Sequence, residues 1–478
     1  MMKITKILQE FEKIHTDDET QKMNSTVQGW IRTARSSSPI LMFCLINDGS
    51  NASGLQLIFT SSKLSEEELD YFSKSAKTGC FISANGEIVK SPGKGQICEM
   101  VVTDFKINSH IDGKYPLAKS KMNLDTLRNH IDFRSRTSTF GSVFRIRSKL
   151  TKAVHDYYHM NDFHHIDPNI ITINECEGGA GVFQITEKNM SSLTNLPFTK
   201  EGLYQWENDH FNRPTYLTVS SQLQLEIFSC SLGDVYTMNK SFRSEHSGTN
   251  KHCSEFTHLE IEIVDDSMDR LMDIAESTIK HCIMSVMRSC DEDIKNLDNF
   301  VSPKLIERLE TILSRIFIKK TYTEVVEEIN ADIIEQKLEL DPLVIGDDLG
   351  SRHEDYITSK YNTGVFCTHW PLAIKSFYMK QYKDTDLCES FDLLMPYGIG
   401  ELIGGSMREE NYDKLITCMR NKHVDESGLE FYTNLRKYGT CPHGGYGLGF
   451  ERLLMLMTGM KNIRDVLPVP VCYKDCKY

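Results

Sequence analysis

The chain has 478 residues, and its 54 Lys+Arg against 67 Asp+Glu give a formal net charge of −13, with 40% hydrophobic and 25% charged residues. This ordinary globular balance excludes a disordered or collagen-like chain, and the length predicts roughly two to four domains with cores that need no disulfide staples. The longest apolar runs, residues 40–46 and 453–457, fall far short of the roughly 18–20 residues that span a bilayer, so no membrane segment is expected.

Residues 1–22 mix acids, bases and Ile/Leu/Phe without the apolar core of a signal peptide, and their Glu and Asp argue against a transit peptide, so a cytoplasmic location is expected. The 14 cysteines are scattered singly, with no CxxC pair and no His at zinc spacing, and read as reduced, mostly buried thiols. Cys472 and Cys476 form the only close pair in sequence, and their wider spacing reads as packing rather than a metal site. An acidic total argues against nucleic-acid binding by bulk charge and leaves room for an RNA held by a local basic patch.

Residues 26–107 read as five β segments, 27–32, 41–47, 55–59, 80–90 and 97–107. Asn47-Asp48-Gly49-Ser50 and Ser91-Pro92-Gly93-Lys94-Gly95 supply turns, and residues 65–76 read as a helix after the third strand. That is the OB pattern, with another small β-barrel as the alternative. Residues 108–140 lack sustained periodicity and read as a hinge. Val143, Ile146, Leu150, Val154 and Tyr157 then recur at helical spacing, followed by Asp167-Pro168 and a strand at 170–173. Strands are predicted at 235–242 and 255–263 around a polar loop, helices through 267–340 with the clearest amphipathic piece at 324–340, β character at 388–408 and 440–450, and a buried helix from 451. The second part is thus an α+β domain on a largely antiparallel sheet flanked by helices.

Three segments carry chemistry. In Gly445-Tyr446-Gly447-Leu448-Gly449-Phe450-Glu451-Arg452 the glycines share one strand face, which would let a flat ligand approach the backbone, while Arg452 emerges where strand becomes helix. A bend at a sheet corner is the plain structural alternative, and neither a Walker loop nor a dinucleotide fingerprint is present. In Phe242-Arg243-Ser244-Glu245, placed on one strand face, Arg243 offers a planar fork for a phosphate and Glu245 can orient it; a surface salt bridge is the alternative. Asp392 and Glu401, the latter within Gly398-Ile399-Gly400-Glu401-Leu402-Ile403-Gly404-Gly405-Ser406-Met407-Arg408, stand in apolar sequence and need a cation to stay ionised, either Mg²⁺ or an arginine such as Arg408.

Together these segments resemble the three signature motifs of class II aminoacyl-tRNA synthetases, in the aspartate/asparagine branch. The resemblance runs from Val27 to Tyr478 and includes Gly29-Trp30-Ile31-Arg32, Cys176-Glu177-Gly178-Gly179, Leu217-Thr218-Val219-Ser220-Ser221-Gln222, Lys251-His252-Cys253-Ser254-Glu255-Phe256 and Pro442-His443-Gly444-Gly445. It implies an OB-fold anticodon-binding domain with an N-terminal extension at 1–110, a hinge at 111–137, and a class II catalytic domain at 138–478. The implied reaction activates an amino acid, here L-asparagine, with ATP and transfers it to tRNA(Asn), with Mg²⁺ assisting.

By the same resemblance, Arg243 would hold the α-phosphate, Phe256 would stack on one adenine face, and Arg452 would cover the other and reach the γ-phosphate, with Glu245 and His252 completing the ATP contacts. Asp392 and Glu401 would hold Mg²⁺. Glu177 and Gln222 belong near the α-amino group. Leu225 stands where aspartate enzymes carry a lysine, Glu226 could accept from a side-chain amide, and Arg408 could donate to its carbonyl, a set that points to asparagine. Phe43, Gln56 and Glu99 match anticodon-contacting positions, an aromatic on an OB strand being a stacking platform; Phe43 as core is the alternative. The 143–168 region, ending at Pro168, resembles a dimer motif and implies a homodimer. Lys251 replaces the usual arginine, and Val471 stands where a basic residue is common. An aspartate-accepting or asparagine-synthesising relative, and a non-catalytic RNA-binding paralogue, are the alternatives; Leu225, the barrel and the retained motif residues argue against them.

Overall fold

A computed structural model describes residues 2–14, 23–93, 95–117, 122–174, 181–189, 197–199 and 202–477. It divides into two compact units, Met1–Ile146 with Cys290–Pro303, and Arg147–Ser289 with Lys304–Tyr478. The segment 290–303, expected inside the helical part of the second domain, therefore groups with the first. Its Asp293 explains why: the carboxylate accepts from Ser142 Oγ at 2.8 Å and Arg145 Nη2 at 2.7 Å.

In the first unit, β1 (Met23–Ser38), β2 (Leu41–Asn47), β3 (Leu55–Thr60), β4 (Phe81–Lys90) and β5 (Cys98–Ser109) close a barrel in the order β1-β2-β3-β5-β4. Strict alternation drives closure: Met42, Cys44 and Ile46 of β2 point inward while Leu41, Phe43 and Leu45 face out. The helix Glu66–Ser75 starts where Ser65 and Glu68 form a reciprocal capping box. Its Phe72 stacks on Phe59 of β3, ring centroids 3.8 Å apart. The N-terminal extension, to which the sequence assigns no role, is the helix Ile4–Ile14, whose Ile4, Ile7 and Phe11 join this same core. Its first turn is held by Asp48, which accepts from the Ile4 N–H at 2.9 Å.

The second unit opens with β6 (His164–His165), followed by a small sheet β7-β9-β8 made of β7 (Ile171–Thr172), β8 (Gln184–Ile185) and β9 (Thr215–Leu217). The main sheet adds β10 (Val235–Phe242), β11 (Glu255–Ile263), β12 (Ile318–Thr321), β13 (Val365–Thr368), β14 (Ser390–Met395), β15 (Gly400–Met407) and β16 (Gly444–Gly449). Its order is β12-β13-β14-β15-β16-β11-β10-β6, antiparallel except for the outer pairs β12/β13 and β10/β6. β12 interrupts the region read as uniformly helical: Lys319 and Lys320 break the apolar period, and Thr321 then caps the helix Tyr322–Gln336 with Glu324 in a second capping box.

β11 sets the two faces of this sheet. Leu259, Ile261 and Ile263 point to the helices, while His258, Glu260 and Glu262 point the other way. On the helix side Tyr446 of β16 meets Tyr158 of the helix Ser138–Met160, hydroxyl to hydroxyl at 2.7 Å, and Thr278 of the helix Met268–Ser289 shares that contact. A polar group so deep is tolerated because each hydroxyl finds a partner.

Substituting Phe72 with Ala removes the ring that seats the barrel helix and should lower stability by about 3–5 kcal/mol. Urea denaturation of the variant against the parent chain measures it.

Candidate active site

Across β11 and β16, Glu262 faces Gly445, Glu260 faces Gly447 and His258 faces Gly449. A Cβ at Gly445 would collide with the Glu262 carboxylate, and one at Gly447 with the His258 ring. The glycine strip therefore first makes room for two side chains of the neighbouring strand, while Gly404, Gly447 and Gly449 also floor a cavity. Two adjoining cavities of about 220 and 260 Å³ lie over this floor, sharing Arg243, His258, Glu401, Gly404 and Gly447 as common walls.

The first cavity brings together Arg243, Glu245, His252, Phe256, Glu401 and Arg452. Arg243 and Glu245 lie just past the end of β10 rather than on a strand face, although the Arg243 N–H still closes onto Ser254 O at 3.0 Å and carries the hairpin register one residue further. Their side chains still face each other, Nη1 to Oε1 at 4.0 Å, and the guanidinium carbon sits 5.6 Å from the Phe256 ring centroid. Arg452, in the first turn of the helix Phe450–Thr458, donates to the backbone carbonyl of Glu401. Glu451 is buried and structural: it accepts from Arg147 Nη2 at 2.8 Å and from the Thr257 N–H at 2.9 Å, which fixes its neighbour Arg452 over the cavity. Burial and the nearby Arg452 lower the pKa of His252, favouring a neutral ring.

Asp392 and Glu401 flank Gly404; a Cβ there would lie 3.3 Å from Glu401 Oε1 and 3.6 Å from Asp392 Oδ1. Their settings differ from the shared apolar one expected. Glu401 is exposed to the cavity, since the left-handed Gly398 and Gly400 (φ 82° and 71°) turn the hairpin tip outward. Asp392 is enclosed, and its cation is Lys375 at 2.6 Å, not Arg408. Burial, with repulsion from Glu401, pushes Asp392 up to about 6 against the pull of Lys375.

The second cavity is lined by Gln222, Glu260, Glu262, Lys375, Asp392 and Arg408, among others. Arg408 Nε donates to Glu262 Oε1 at 3.2 Å and Nη1 to Ser406 Oγ at 2.7 Å. Glu226 and Leu225 are both wholly buried and line neither cavity. The Glu226 carboxylate accepts from Gln222 Nε2 at 3.0 Å, Tyr432 Oη at 3.1 Å and Arg436 Nη2 at 2.7 Å, and lies 2.9 Å from His443 Nε2. The expected direct acceptor for a ligand amide is thus a hub that orients Gln222 and, at 3.7 Å, Arg408. Its acceptor capacity is taken up because it sits one helical turn beyond Gln222, on the side facing Arg436. Glu260 holds the other end of that helix, accepting from the Ser221 N–H at 2.9 Å and from Ser220 Oγ. Glu177 lies outside the described residues.

In the barrel, Phe43 and Gln56 line an open cavity of about 500 Å³ together with Arg32 and Arg35, and Arg35 lies 5.2 Å from the Phe43 centroid. Phe43 is therefore not core. Glu99 is buried beneath; it accepts from Gln56 Nε2 at 3.3 Å and orients that amide rather than reaching the cavity itself. Pro168 lines an apolar groove in the second unit with Ile171, Ile173 and Phe211, and its carbonyl accepts from Asn239.

Residues 121–472 match the family model for class II tRNA synthetases (D, K and N), and residues 25–108 match that for the OB-fold nucleic acid binding domain. The asparagine–tRNA ligase of Phocaeicola vulgatus is 39% identical over 454 residues, 95% of each chain. The chain belongs to the class II tRNA synthetases, in the asparagine–tRNA ligase family. The asparaginyl-tRNA synthetase of Entamoeba histolytica, solved with asparaginyl-adenylate, superposes with a TM-score of 0.78 at 29% identity, over 95% of this chain and 96% of that one. The enzyme of Pyrococcus horikoshii, TM-score 0.81 at 24% identity over 95% and 96%, shares the fold.

Several residues around the synthetase's cavities were not singled out in the sequence. Lys375, Glu262, Arg436 and His443 carry no motif spacing of their own, although His443 stands in the quoted Pro442-His443-Gly444-Gly445 run. Glu354 is another. It lies under Gly400, where a Cβ would strike its carboxylate, and burial together with Glu401 pushes it from the usual 4.5 up to about 7. A carboxyl whose folded pKa is raised contributes stability that is complete below about 4.5 and is lost as pH rises through about 7. Replacing Glu354 with Gln should remove this loss, so the melting temperature of the parent chain relative to E354Q falls across that interval. Thermal melts at matched ionic strength test it.

Proposed function

We infer that the chain is an asparagine–tRNA ligase: it activates L-asparagine with ATP to asparaginyl-adenylate, releasing pyrophosphate, and passes the asparaginyl group to the 3′ end of tRNA(Asn), releasing AMP. The observation that carries this reading is Arg243, standing at the wall common to two cavities. One is flanked by an aromatic face and Arg452, the other by the Arg408–Glu262 pair. Adenine would lie between Phe256 and Arg452, with Glu245 and His252 beside it, and the α-phosphate would meet Arg243.

In activation the asparagine carboxylate attacks the α-phosphorus and pyrophosphate leaves in line. Two anions must approach each other, and Arg243 cancels part of their repulsion and stabilises charge gathering on the phosphoryl oxygens. Positioning supplies much of the rest, which is why no dedicated base is needed. Oxygen donors at the cavity edge suit a hard cation, so Asp392 and Glu401 would hold Mg²⁺, which when bound adds positive charge against the phosphates. The raised Asp392, balanced only by Lys375, fits such a partner.

For the side chain, Arg408 stands between two carboxyls, Glu262 at 3.2 Å and Glu226 at 3.7 Å, whose combined field disfavours an aspartate carboxylate, while the guanidinium can still donate to an amide carbonyl. Gln222, its Nε2 held by Glu226, presents its carbonyl oxygen toward an α-amino group. The barrel cavity would take unpaired anticodon bases on Phe43, with Gln56 hydrogen bonding. A homodimer would form over the apolar groove at Pro168, and the enzyme would work in the cytoplasm.

Exchange of labelled pyrophosphate into ATP should depend on asparagine and not on aspartate, and Arg243→Ala should reduce it by about 10²–10³-fold or more. Equal exchange with aspartate would overturn the specificity. Phe43→Ala should weaken tRNA charging about tenfold, the scale of one lost base stack, while sparing tRNA-independent exchange. Equal loss in both assays would remove Phe43 from tRNA contact.

A further inference from the structure

Behind the amino-acid cavity, Cys230 and Cys441 bring their sulfurs to 3.9 Å although 211 positions separate them. Cys230 lies in the last turns of the helix Gln222–Leu232, whose first turns carry Gln222 and Glu226, and Cys441 lies two residues before His443. The two sulfurs and a His443 ring nitrogen all fall within 4.8 Å of one another. Zinc–thiolate bonds of roughly 2.3 Å in a tetrahedron place their sulfurs roughly 3.8 Å apart, so the pair already has the spacing of two corners of one coordination sphere. A disulfide would need the sulfurs drawn together to about 2.05 Å.

We propose that Cys230, Cys441 and His443 form a site for a thiophilic divalent cation of the Zn²⁺ class, and that filling it draws His443 off Glu226 and loosens the amino-acid cavity. The coupling half of this rests on the reading of that cavity given above. His443 is wholly buried, with Nδ1 2.8 Å from Cys441 O and Nε2 2.9 Å from Glu226 Oε2. Ligation through Nε2 puts the cation in place of the proton that Nε2 points at Glu226, so that proton leaves to solvent and the hydrogen bond to Glu226 is given up, while Nδ1–H keeps Cys441 O. The two thiols lose their protons to solvent as the thiolate–metal bonds form, nothing is oxidised or reduced, and the fourth position is left to water. Both cysteines are half-buried, which gives an ion access. The remaining Glu226 partners, Gln222, Tyr432 and Arg436, keep the hub in place, so the effect is a loss of affinity for the amino acid rather than collapse.

The test titrates the full-length chain with Cd²⁺, following thiolate-to-cadmium absorption and, separately, the KM for asparagine in pyrophosphate exchange, for the parent, Cys230→Ala and Cys441→Ala. One strongly held ion per chain whose absorption disappears in both variants, with a reversible rise in KM of about tenfold in the parent alone, is the expected result. Absorption that persists in both variants, or is absent from the parent, overturns the site. Absorption that depends on both cysteines with an unchanged KM overturns the coupling to His443. Because the absorption is read without substrate, the site is judged even if asparagine proves to be the wrong amino acid.

Discussion

Two carboxylates, Glu226 and Glu262, lie wholly inside the second unit at and behind the wall of the second cavity, and the geometry there depends on keeping them compensated. Burial alone would push both up. At Glu226, Arg436, His443 and Arg408 overcome burial and hold the carboxyl well below its usual range; at Glu262, burial and the Glu226 charge outweigh Arg408 and bring it to about 7. Removing one partner of such a set leaves an unpaired charge in the interior, at a cost of about 3–5 kcal/mol. Each member is therefore held in position by the others, and the cavity wall receives Arg408 and Gln222 already oriented.

The same logic runs along the sheet. β11 presents His258, Glu260 and Glu262 on one face, and β16 answers with glycines, so that His258 and Glu262 have room where a Cβ at Gly447 or Gly445 would strike them. Glu260 turns the chain at Ser220 and Ser221 and so aims the helix that carries Gln222 and Glu226. At the other end Glu451 ties Arg147, Thr257 and the Phe450–Thr458 helix together and so aims Arg452. In both cases a buried carboxylate, bonded to donors of the fold itself, sets the direction of a group that faces the cavity.

This division explains what the sequence could and could not reveal. Period and turn chemistry located four of the barrel strands and the β10/β11 hairpin within a few residues, because alternation and capping are local, whereas of β1, which runs Met23–Ser38, only the centre at 27–32 was read. Residues that face the cavities, such as Arg243, Phe256, Arg452 and Asp392, were legible because they stand in short runs with a recognisable pattern. Leu225 and Glu226 stand in the same kind of run, and both lie buried behind the cavity wall, Glu226 one helical turn from Gln222 and bonded to it. Lys375, Glu262, Arg436 and Glu354 stayed hidden because their partners are remote in sequence; Arg408 and Glu262 are 146 positions apart, Arg436 and Glu226 210. Pairing at such range is a product of the sheet order, not of spacing.

The two departures from the family pattern follow from the same distinction between side chain and support. Lys251 lines the first cavity where an arginine is usual, with its ammonium 4.0 Å from Asp355 Oδ1 and close to the Glu354 carboxylate under Gly400. A lysine there gives up the bidentate fork and keeps a point charge between the cavity and two acids, which is enough to draw a phosphate but not to fix its angle. Val471 contributes through its main chain: its carbonyl accepts from the Ser254 N–H at 2.8 Å, and the Ser254 carbonyl in turn accepts from the Arg243 N–H at 3.0 Å. The basic side chain common at 471 is therefore not what seats Arg243, because the bond that does so is one any residue at that position can make.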